Sequence, residues 1–244
     1  MDGRSVLRIS GKDRTDFLQG LTTNDLSRLS DGLVWTAILT PQGKYLADFF
    51  MISDGDTVLI DVAELLASSL AQRLSMYKLR ADVQIATTDI HPSRGPGPAP
   101  DGTYPDPRHP KMGWRAYDGR PDVAADWDAL RVAHMIPETG IELIPNESYP
   151  LETAFERLHG VDFKKGCYVG QEVTARMKHK TELKKGLAQV AITGSAPVGT
   201  PITTPDGKPA GTLYTQSGGK ALAYLRFDRA TSDMRAGDAT LRRL

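Results

Sequence analysis

The only cysteine of the chain lies in a short basic segment, Lys164–Glu172, which reads KKGCYVGQE. Thiols react as thiolates, and cationic neighbours and a helix N-terminus both favour the ionised form. Two lysines precede Cys167, and a helix is predicted to open near Gly170. The alternative is an ordinary loop with a buried cysteine, since a free cysteine often behaves as a small apolar residue. The residues alone leave both interpretations open, and in the functional one Cys167 is the working thiol with Lys165 and Arg176 as its basic surroundings.

The segment continues as a positively charged stretch, because seven basic and three acidic side chains lie between Asp162 and Lys185. Such a stretch suits an anionic partner, for example a polyglutamate tail, a phosphate or an acidic protein face. It is equally typical of a solvated helix face with i,i+4 ion pairs such as Glu172–Arg176. We prefer the solvated face for the distal lysines, Lys180 among them.

Two further polar segments are candidates for a pocket. Residues Phe17–Asp25 end in a Thr-Thr-Asn-Asp cluster after Gly20. This cluster either lines a pocket or forms a capped junction between two helices. Asp48 lies in a mostly apolar predicted strand, Tyr45–Ile52. If it faces the core it requires a partner, because a bare buried carboxylate is costly; if it faces solvent it carries no information.

Composition excludes several classes of function. The chain has 244 residues, 40% of them hydrophobic and 25% charged, with Lys+Arg and Asp+Glu balanced at 30 each. No global field attracts it to nucleic acid or to a membrane, so we expect neither as a direct partner. One cysteine excludes an internal disulfide and a multi-cysteine metal site made by this chain alone. The five histidines have no metal-ligand spacing, so we expect no metal site. A reducing compartment fits best, and no signal peptide is evident, so the predicted location is cytoplasmic.

The hydrophobic pattern predicts an α+β protein with antiparallel sheets, packed helices and a C-terminal β-barrel. A three-strand meander is expected over residues 34–62, followed by a helix at 65–77. Ser10 and Asp13 predict a capping box. Pro150 predicts the first turn of a helix that ends at Gly160. We expect residues 1–180 to form two α+β lobes, joined by a Pro-rich loop at 91–110 without regular structure, and residues 181–244 to form the barrel.

Together these segments resemble the YgfZ family of folate-binding proteins, relatives of the glycine-cleavage T-protein (aminomethyltransferase). Lys165–Glu172, continued by Ala175–Met177, is similar to the hallmark motif of that family. Phe17–Asp25, Leu39–Lys44 and Tyr77–Arg80 resemble other segments of it. The likeness covers nearly the whole chain.

The resemblance implies a T-protein-like, multi-domain fold, ring-shaped around a central folate site. It implies a role in assembly or repair of iron–sulfur clusters, notably for [4Fe–4S] enzymes that include tRNA-thiolating ones. Tetrahydrofolate is the implied ligand, and iron–sulfur enzymes or assembly proteins are the implied partners. Cys167 is the implied working residue. The folate-binding residues implied by the family pattern are Asn24, Asp25, Asp48, Arg80, Tyr168, Gln171 and Glu172.

Departures from the T-protein keep three functions open. T-proteins carry an acidic pair where this chain has Ala47-Asp48, and a pterin-gripping glutamate near Val132–His134. The first hypothesis is therefore a folate-binding accessory protein for iron–sulfur clusters that uses Cys167. The second is a tetrahydrofolate-dependent aminomethyltransferase or demethylase, in which Asp48 matters and Cys167 is incidental. The third is a non-catalytic adaptor whose basic segment docks an acidic partner. Whether the chain is an enzyme stays open.

Overall fold

A computed structural model describes residues 3–179, 182–230 and 233–244. The chain divides into two compact units, Met1–Ala125 with Glu156–Val173, and Asp126–Phe155 with Thr174–Leu244. The boundary predicted between residues 180 and 181 lies outside the described residues and stays a prediction.

The first unit is built on a five-stranded antiparallel sheet with strand order β2-β3-β4-β1-β5. The helix α2 lies against β1 and β4 and buries Leu66, Leu70 and Leu74, which recur every four residues. The predicted meander and helix are confirmed. The elements are β1 (Arg4–Ser10), α1 (Arg14–Gln19), β2 (Val34–Leu39), β3 (Tyr45–Asp54), β4 (Thr57–Ala63), α2 (Glu64–Tyr77) and β5 (Gln84–Thr87).

The capping box predicted at the start of α1 is wrong. Ser10 remains in β1, and Asp13 precedes the helix without a side-chain capping bond. The Asp13 carboxylate instead accepts a hydrogen bond from the backbone N–H of Asp82 at 2.8 Å. The Asp13 carboxylate, which the capping box requires as an acceptor, is therefore used in a tertiary contact instead.

The Pro-rich segment is more regular than the sequence predicts. β6 (Ser93–Gly95), β7 (Tyr104–Pro105) and β8 (Trp114–Ala116) form a three-stranded sheet in the order β6-β8-β7, and a 3₁₀ helix covers Pro110–Met112. The expectation of a loop without regular elements is therefore wrong. The central strand β8 contains no proline, and Pro105 lies on an edge strand, where the missing N–H is tolerated.

The second unit contains a closed six-stranded barrel with strand order β10-β11-β12-β9-β14-β13. Its interior is filled by small and branched side chains, among them Val190, Ile202, Leu213 and Leu241. The predicted barrel and the α+β class are confirmed. The elements are α3 (Trp127–His134), α4 (Gln171–His179, in this unit from Thr174 onward), β9 (Lys185–Thr193), β10 (Pro201–Thr203), β11 (Pro209–Ser217), β12 (Lys220–Arg226), β13 (Met234–Ala236) and β14 (Ala239–Arg243).

The long helix predicted after Pro150 is wrong. Pro150 does occupy the first turn, but of a 3₁₀ helix that covers only Pro150–Thr153. Ala154 ends it in the left-handed conformation, with φ of 66°. None of the described helices is long and apolar enough to cross a bilayer.

Candidate functional site

The segment Phe17–Asp25 and the segment that carries Cys167 run side by side in the first unit. Hydrogen bonds to backbone carbonyls join them. The Thr23 hydroxyl donates to the Gly160 carbonyl at 2.7 Å. The N–H of Asp162 donates to the Thr23 carbonyl at 2.9 Å, and the N–H of Val169 donates to the Gly20 carbonyl at 3.2 Å. The segment that carries the cysteine is therefore held at both ends by the polar cluster near the N-terminus.

Lys165 is the centre of this attachment. Its side chain is buried, and its ammonium donates to the carbonyl oxygens of Gln19, Thr22 and Asn24 at 2.7, 2.5 and 3.1 Å. The Nζ atom also lies 5.1 Å from the centre of the Tyr168 ring. An ammonium has three donors, and here all three bind backbone carbonyls. The structure thus gives Lys165 a positioning role, while a direct role toward the thiol stays a prediction.

Stability should depend on pH through Lys165. Burial lowers the pKa of its ammonium to about 8, although Asp25 and Asp162 oppose this. The ordinary value is about 10.4, so the folded chain loses this proton at a lower pH than the unfolded chain. Between about pH 8 and 10 the unfolded state binds more protons, and the free energy of unfolding therefore rises with pH.

Urea denaturation at pH 7, 8, 9 and 10 measures this effect, with Lys165→Met as the variant that lacks the titrating group. We expect the unfolding free energy of the wild type, relative to Lys165→Met, to increase over this range. A constant difference between the two proteins would show that Lys165 does not change its pKa on folding.

The third motif segment, the turn between β2 and β3, packs on the end of the cysteine segment. Gly170 has φ of +86°, and a Cβ placed there would lie 2.6 Å from the Thr40 carbonyl oxygen and 3.2 Å from the Gly43 Cα. Only glycine allows both this backbone conformation and this approach. The three segments selected from the sequence therefore meet in the first unit.

Gly170→Ala should lower the free energy of unfolding by about 2–4 kcal/mol, from left-handed strain and overpacking together. Gly119→Ala is the matched control, because Gly119 has φ of +84° but nothing within 4 Å of the added Cβ. The control should lose only the free energy that corresponds to left-handed backbone strain, about 1–2 kcal/mol. Equal losses in urea denaturation would mean that the close approach at Gly170 does not exist.

Cys167 is exposed. Its neighbours Phe163 and Lys164 are exposed as well, and a Cβ added at Gly166 would meet nothing within 4 Å. The alternative of a buried cysteine is therefore wrong, while the working role of the thiol stays a prediction. Arg176 is exposed on α4 in the second unit, and its proposed action on the thiol stays a prediction.

Two of the residues implied for folate binding are occupied by structural contacts. The Asn24 amide donates to the carbonyls of Trp35 and His159 at 2.9 and 2.6 Å, and its oxygen accepts from the Asp25 N–H at 2.9 Å. Asp48 is buried and accepts from the Trp35 indole N–H and the Tyr45 hydroxyl, both at 2.8 Å. Asp48 thus faces the core and has the partners that burial requires.

The other implied folate residues lie in varied settings. Asp25 caps the 3₁₀ helix Leu26–Ser30, and its hydrogen bonds from Ser27 hold the pKa of its carboxyl below the usual value. Tyr168 is buried, whereas Arg80 and Glu172 are exposed and Gln171 is half-buried. Four of the cavities among the described residues have none of the seven implied residues in their lining. Their part in folate binding therefore stays a prediction.

No group of three or more His, Cys, Asp or Glu side chains in the described ranges is arranged to hold a metal ion. Two polar clusters that the sequence did not reveal are present instead. One is a buried network around Asp61 in the first unit, and the other surrounds Glu152 in the second. Their members are scattered along the chain, so no spacing or motif could have predicted them.

Comparison with known proteins agrees with the barrel and with the overall fold. Residues 184–243 match the family model described as the CAF17 C-terminal beta-barrel domain. The whole chain superposes on 83% of the glycine cleavage system aminomethyltransferase T from Bartonella henselae, with a TM-score of 0.76 and 10% sequence identity. The fold is that of aminomethyltransferase T. At this identity the likeness establishes the fold alone.

Sequence relatives are named as iron–sulfur cluster assembly factors. The mitochondrial factor IBA57 of Mus musculus is 29% identical over 275 residues, which cover 93% of this chain and 77% of that protein. The mitochondrial IBA57 homolog of Mycosarcoma maydis is 31% identical over 223 residues, which cover 78% of this chain. The chain spans only 55% of the length of that fungal relative.

These comparisons confirm the coarser part of the predicted resemblance, namely relatives in iron–sulfur cluster assembly and a T-protein-like fold. They contradict the predicted cytoplasmic location, because the relatives are named as mitochondrial. The prediction rested on the single cysteine and on the lack of an evident secretory signal peptide, and neither feature distinguishes one reducing compartment from another.

Proposed function

We propose that the chain takes part in the assembly or repair of iron–sulfur clusters and that the Cys167 thiol does the chemistry. The relatives named as assembly factors support the process. The single observation that carries the residue is the exposed Cys167 on a segment fixed by Lys165 and Gly170. A thiol that is both accessible and held in place can meet a partner without first ordering a loop.

The chemistry that suits this thiol is ligation of iron. Thiolates are the common ligands of iron–sulfur clusters, and a [4Fe–4S] cluster takes four of them. This chain has one cysteine, so the remaining ligands must come from a client enzyme or an assembly protein. Cys167 would then hold one iron during transfer or repair, and clients would include [4Fe–4S] enzymes such as tRNA-thiolating ones.

Tetrahydrofolate is the ligand that we propose for the T-protein-like fold, in line with the YgfZ-type character of the motifs. The superposition on aminomethyltransferase T supports the fold on which this proposal is based. Asn24 and Asp48 already make hydrogen bonds within the protein, which would hold their side chains in place beside a bound ligand.

The aminomethyltransferase alternative is favoured only by the fold. Its carboxylate would be Asp48, and both oxygens of Asp48 are occupied by Trp35 and Tyr45. The adaptor alternative loses Lys165 as a docking residue, because that side chain is buried. Neither alternative accounts for the exposed cysteine.

Expression of the chain in cells that lack their own homologue tests the proposal. We expect it to restore the activity of a [4Fe–4S] enzyme and to leave an enzyme without a cluster unchanged. Measured enzyme activities, normalised to protein amount, give the answer. No restoration by a chain that is folded and present at normal levels would contradict a role in cluster assembly.

A further inference from the structure

The barrel is a basic domain in a chain whose overall formal charge is zero. Residues 184–243 contain nine basic and four acidic side chains, which leaves a formal charge of +5. The whole chain has 30 of each, so the remaining residues contain 21 basic and 26 acidic side chains and carry −5. A balanced composition therefore hides a domain whose charge favours an anionic partner.

The strand pattern shows that three of the barrel cations point away from the core. The residues that follow or precede them in the sequence are fully buried core residues, namely Ala221, Met234 and Leu241. Successive side chains of a strand point to opposite faces, so Lys220 on β12, Arg235 on β13 and Arg242 on β14 point outward. All three are exposed.

The strand register places these three cations next to one another. Lys220 and Arg242 are both register partners of Ala191, which lies between them on β9. Two strand spacings separate their Cα atoms, which is about 10 Å. Arg235 is opposite Thr240, two positions before Arg242, and is therefore a diagonal neighbour of Arg242 at about 7–8 Å. We call Lys220, Arg235 and Arg242 the basic strip.

The charge of the basic strip is available to a partner. Other cations of the barrel form the ion pairs in the described part of the chain, and these pairs are Lys185–Glu152, Lys208–Asp206 and Arg226–Asp228. Asp233 and Asp238 flank β13 and are exposed. Like charges that are held on neighbouring strands repel one another, so an anion that binds between them is favoured.

Carboxylates fit the basic strip better than a nucleic acid does. Single-stranded nucleic acids bind proteins by stacking of their bases on aromatic side chains as well as by phosphate contacts. The outward positions between and beside the cations are the small residues Ala191, Thr193 and Thr240, which offer no stacking surface. A nucleic acid also presents a long row of charges, whereas the strip offers three cations over a short distance.

We propose that the basic strip binds an acidic helix of a partner protein. Residues i and i+7 of a helix share a face and lie about 10.5 Å apart, close to the spacing of Lys220 and Arg242. The small side chain of Ala191 lets a helix approach the sheet between them, and arginine binds carboxylates in bidentate pairs. The proposal does not depend on the proposed function, because Cys167 and its motif belong to the first unit.

Isothermal titration of the full chain with a synthetic helical peptide tests the proposal. The peptide is alanine-rich and has glutamates at i, i+4, i+7 and i+11, and a second peptide has glutamines at these positions. We expect the glutamate peptide to bind, with an affinity that falls as salt rises, and the glutamine peptide to bind at least about tenfold more weakly. No binding of the glutamate peptide up to about 1 mM, or equal binding of the two peptides, would overturn the proposal.

The triple variant Lys220→Gln/Arg235→Gln/Arg242→Gln tests whether the peptide binds at the basic strip. We expect it to weaken binding of the glutamate peptide at least about tenfold. Its thermal unfolding should resemble that of the wild type, because all three side chains are exposed. Unchanged affinity in a folded triple variant would overturn the proposal.

The matched control is the triple variant Lys184→Gln/Lys185→Gln/Arg226→Gln. It removes the same charge from exposed positions at the other end of β9 and β12, where Lys185 and Arg226 are register partners. It should bind the glutamate peptide as the wild type does. A loss equal to that of the strip variant would mean that net charge, not the strip, governs binding, and would overturn the proposal.

An oligouridylate of about ten nucleotides distinguishes a protein partner from a nucleic acid. We expect it to bind the wild type more weakly than the glutamate peptide does. Tighter binding of the oligouridylate that is lost in the strip variant would make the strip a nucleic-acid site and would overturn the proposal. Failure of the chain to rescue cluster enzymes would contradict the proposed function and leave these titrations valid.

Discussion

Replacing Asp61 with alanine is expected to lower the free energy of unfolding by about 3–5 kcal/mol. Asp61 is 1% exposed and accepts hydrogen bonds from Arg4, from Arg115 at 3.2 Å and from the Tyr117 hydroxyl at 3.0 Å. Its removal leaves the buried Arg115 guanidinium with Asp106 as its remaining carboxylate, at 3.5 Å. Loss of one partner in a buried ion pair is costly because the other charge stays buried without compensation.

The expected loss is large because Asp61 is buried among several guanidinium groups. The guanidinium groups of Arg4, Arg108 and Arg115 lie 5.4, 4.9 and 3.8 Å from the centre of the Phe50 ring. Asp61 and Asp106 are the carboxylates that pair with them. Among the described residues, Asp61 pairs with Arg4 and Arg115, and Asp106 pairs with Arg108 and Arg115. The Phe50 ring adds cation–π contacts, and removal of Asp61 takes one carboxylate out of this network.

Asp54→Ala is the matched control for this prediction. Asp54 also pairs with an arginine, Arg8, but its side chain is 47% exposed. An exposed pair contributes at most about 1 kcal/mol, since water and salt screen it. Urea denaturation at neutral pH should therefore separate the two variants clearly. Equal losses would mean that the Asp61 network is not buried as the structure shows.

Replacing Cys167 with alanine is expected to reduce cluster enzyme activity in rescued cells to the level seen without the protein. The side chain is exposed, so its removal should leave the free energy of unfolding unchanged. Cys167→Ser should fail in the same way, because a serine hydroxyl binds the iron of a cluster more weakly than a cysteine thiolate does. Lost function with retained stability is the combination that identifies a working residue.

Ser75→Ala serves as the control for expression and handling, since Ser75 is exposed on α2 and is not part of the proposed site. It should rescue as the wild type does. Western blots and thermal unfolding of all variants establish that equal amounts of folded protein are compared. Full rescue by Cys167→Ala would remove the thiol from the mechanism while leaving open the process in which the chain acts.

The sequence predicted those elements whose hydrophobic pattern is local. The meander of β2, β3 and β4 and the barrel strands follow from alternating apolar residues and turn signals, and both are present. The Pro-rich segment was missed because β6 and β7 exist only through pairing with β8, which lies later in the chain. The helix at Pro150 was overestimated because nothing in the local pattern shows the left-handed turn at Ala154.

The candidate site was predicted in its parts, but the roles of the parts depend on tertiary contacts. The motif located Cys167 and Gly170 correctly as one unit. It could not show that Lys165 reaches the carbonyls of Gln19 and Thr22, more than 140 positions earlier in the chain. The sequence did not show whether Asp48 faces the core or solvent. Its contacts with Trp35 and Tyr45 show that it faces the core.

Alkylation of the purified chain tests the central claim most directly, because the sequence contains a single cysteine. Iodoacetamide should add one group per chain by mass spectrometry, and rapidly, since Cys167 is exposed. We expect that the modified protein no longer supports maturation of an apo [4Fe–4S] enzyme, while its unfolding curve is unchanged. A singly alkylated protein that matures the enzyme as well as the untreated one would contradict the claim that the Cys167 thiol does the chemistry.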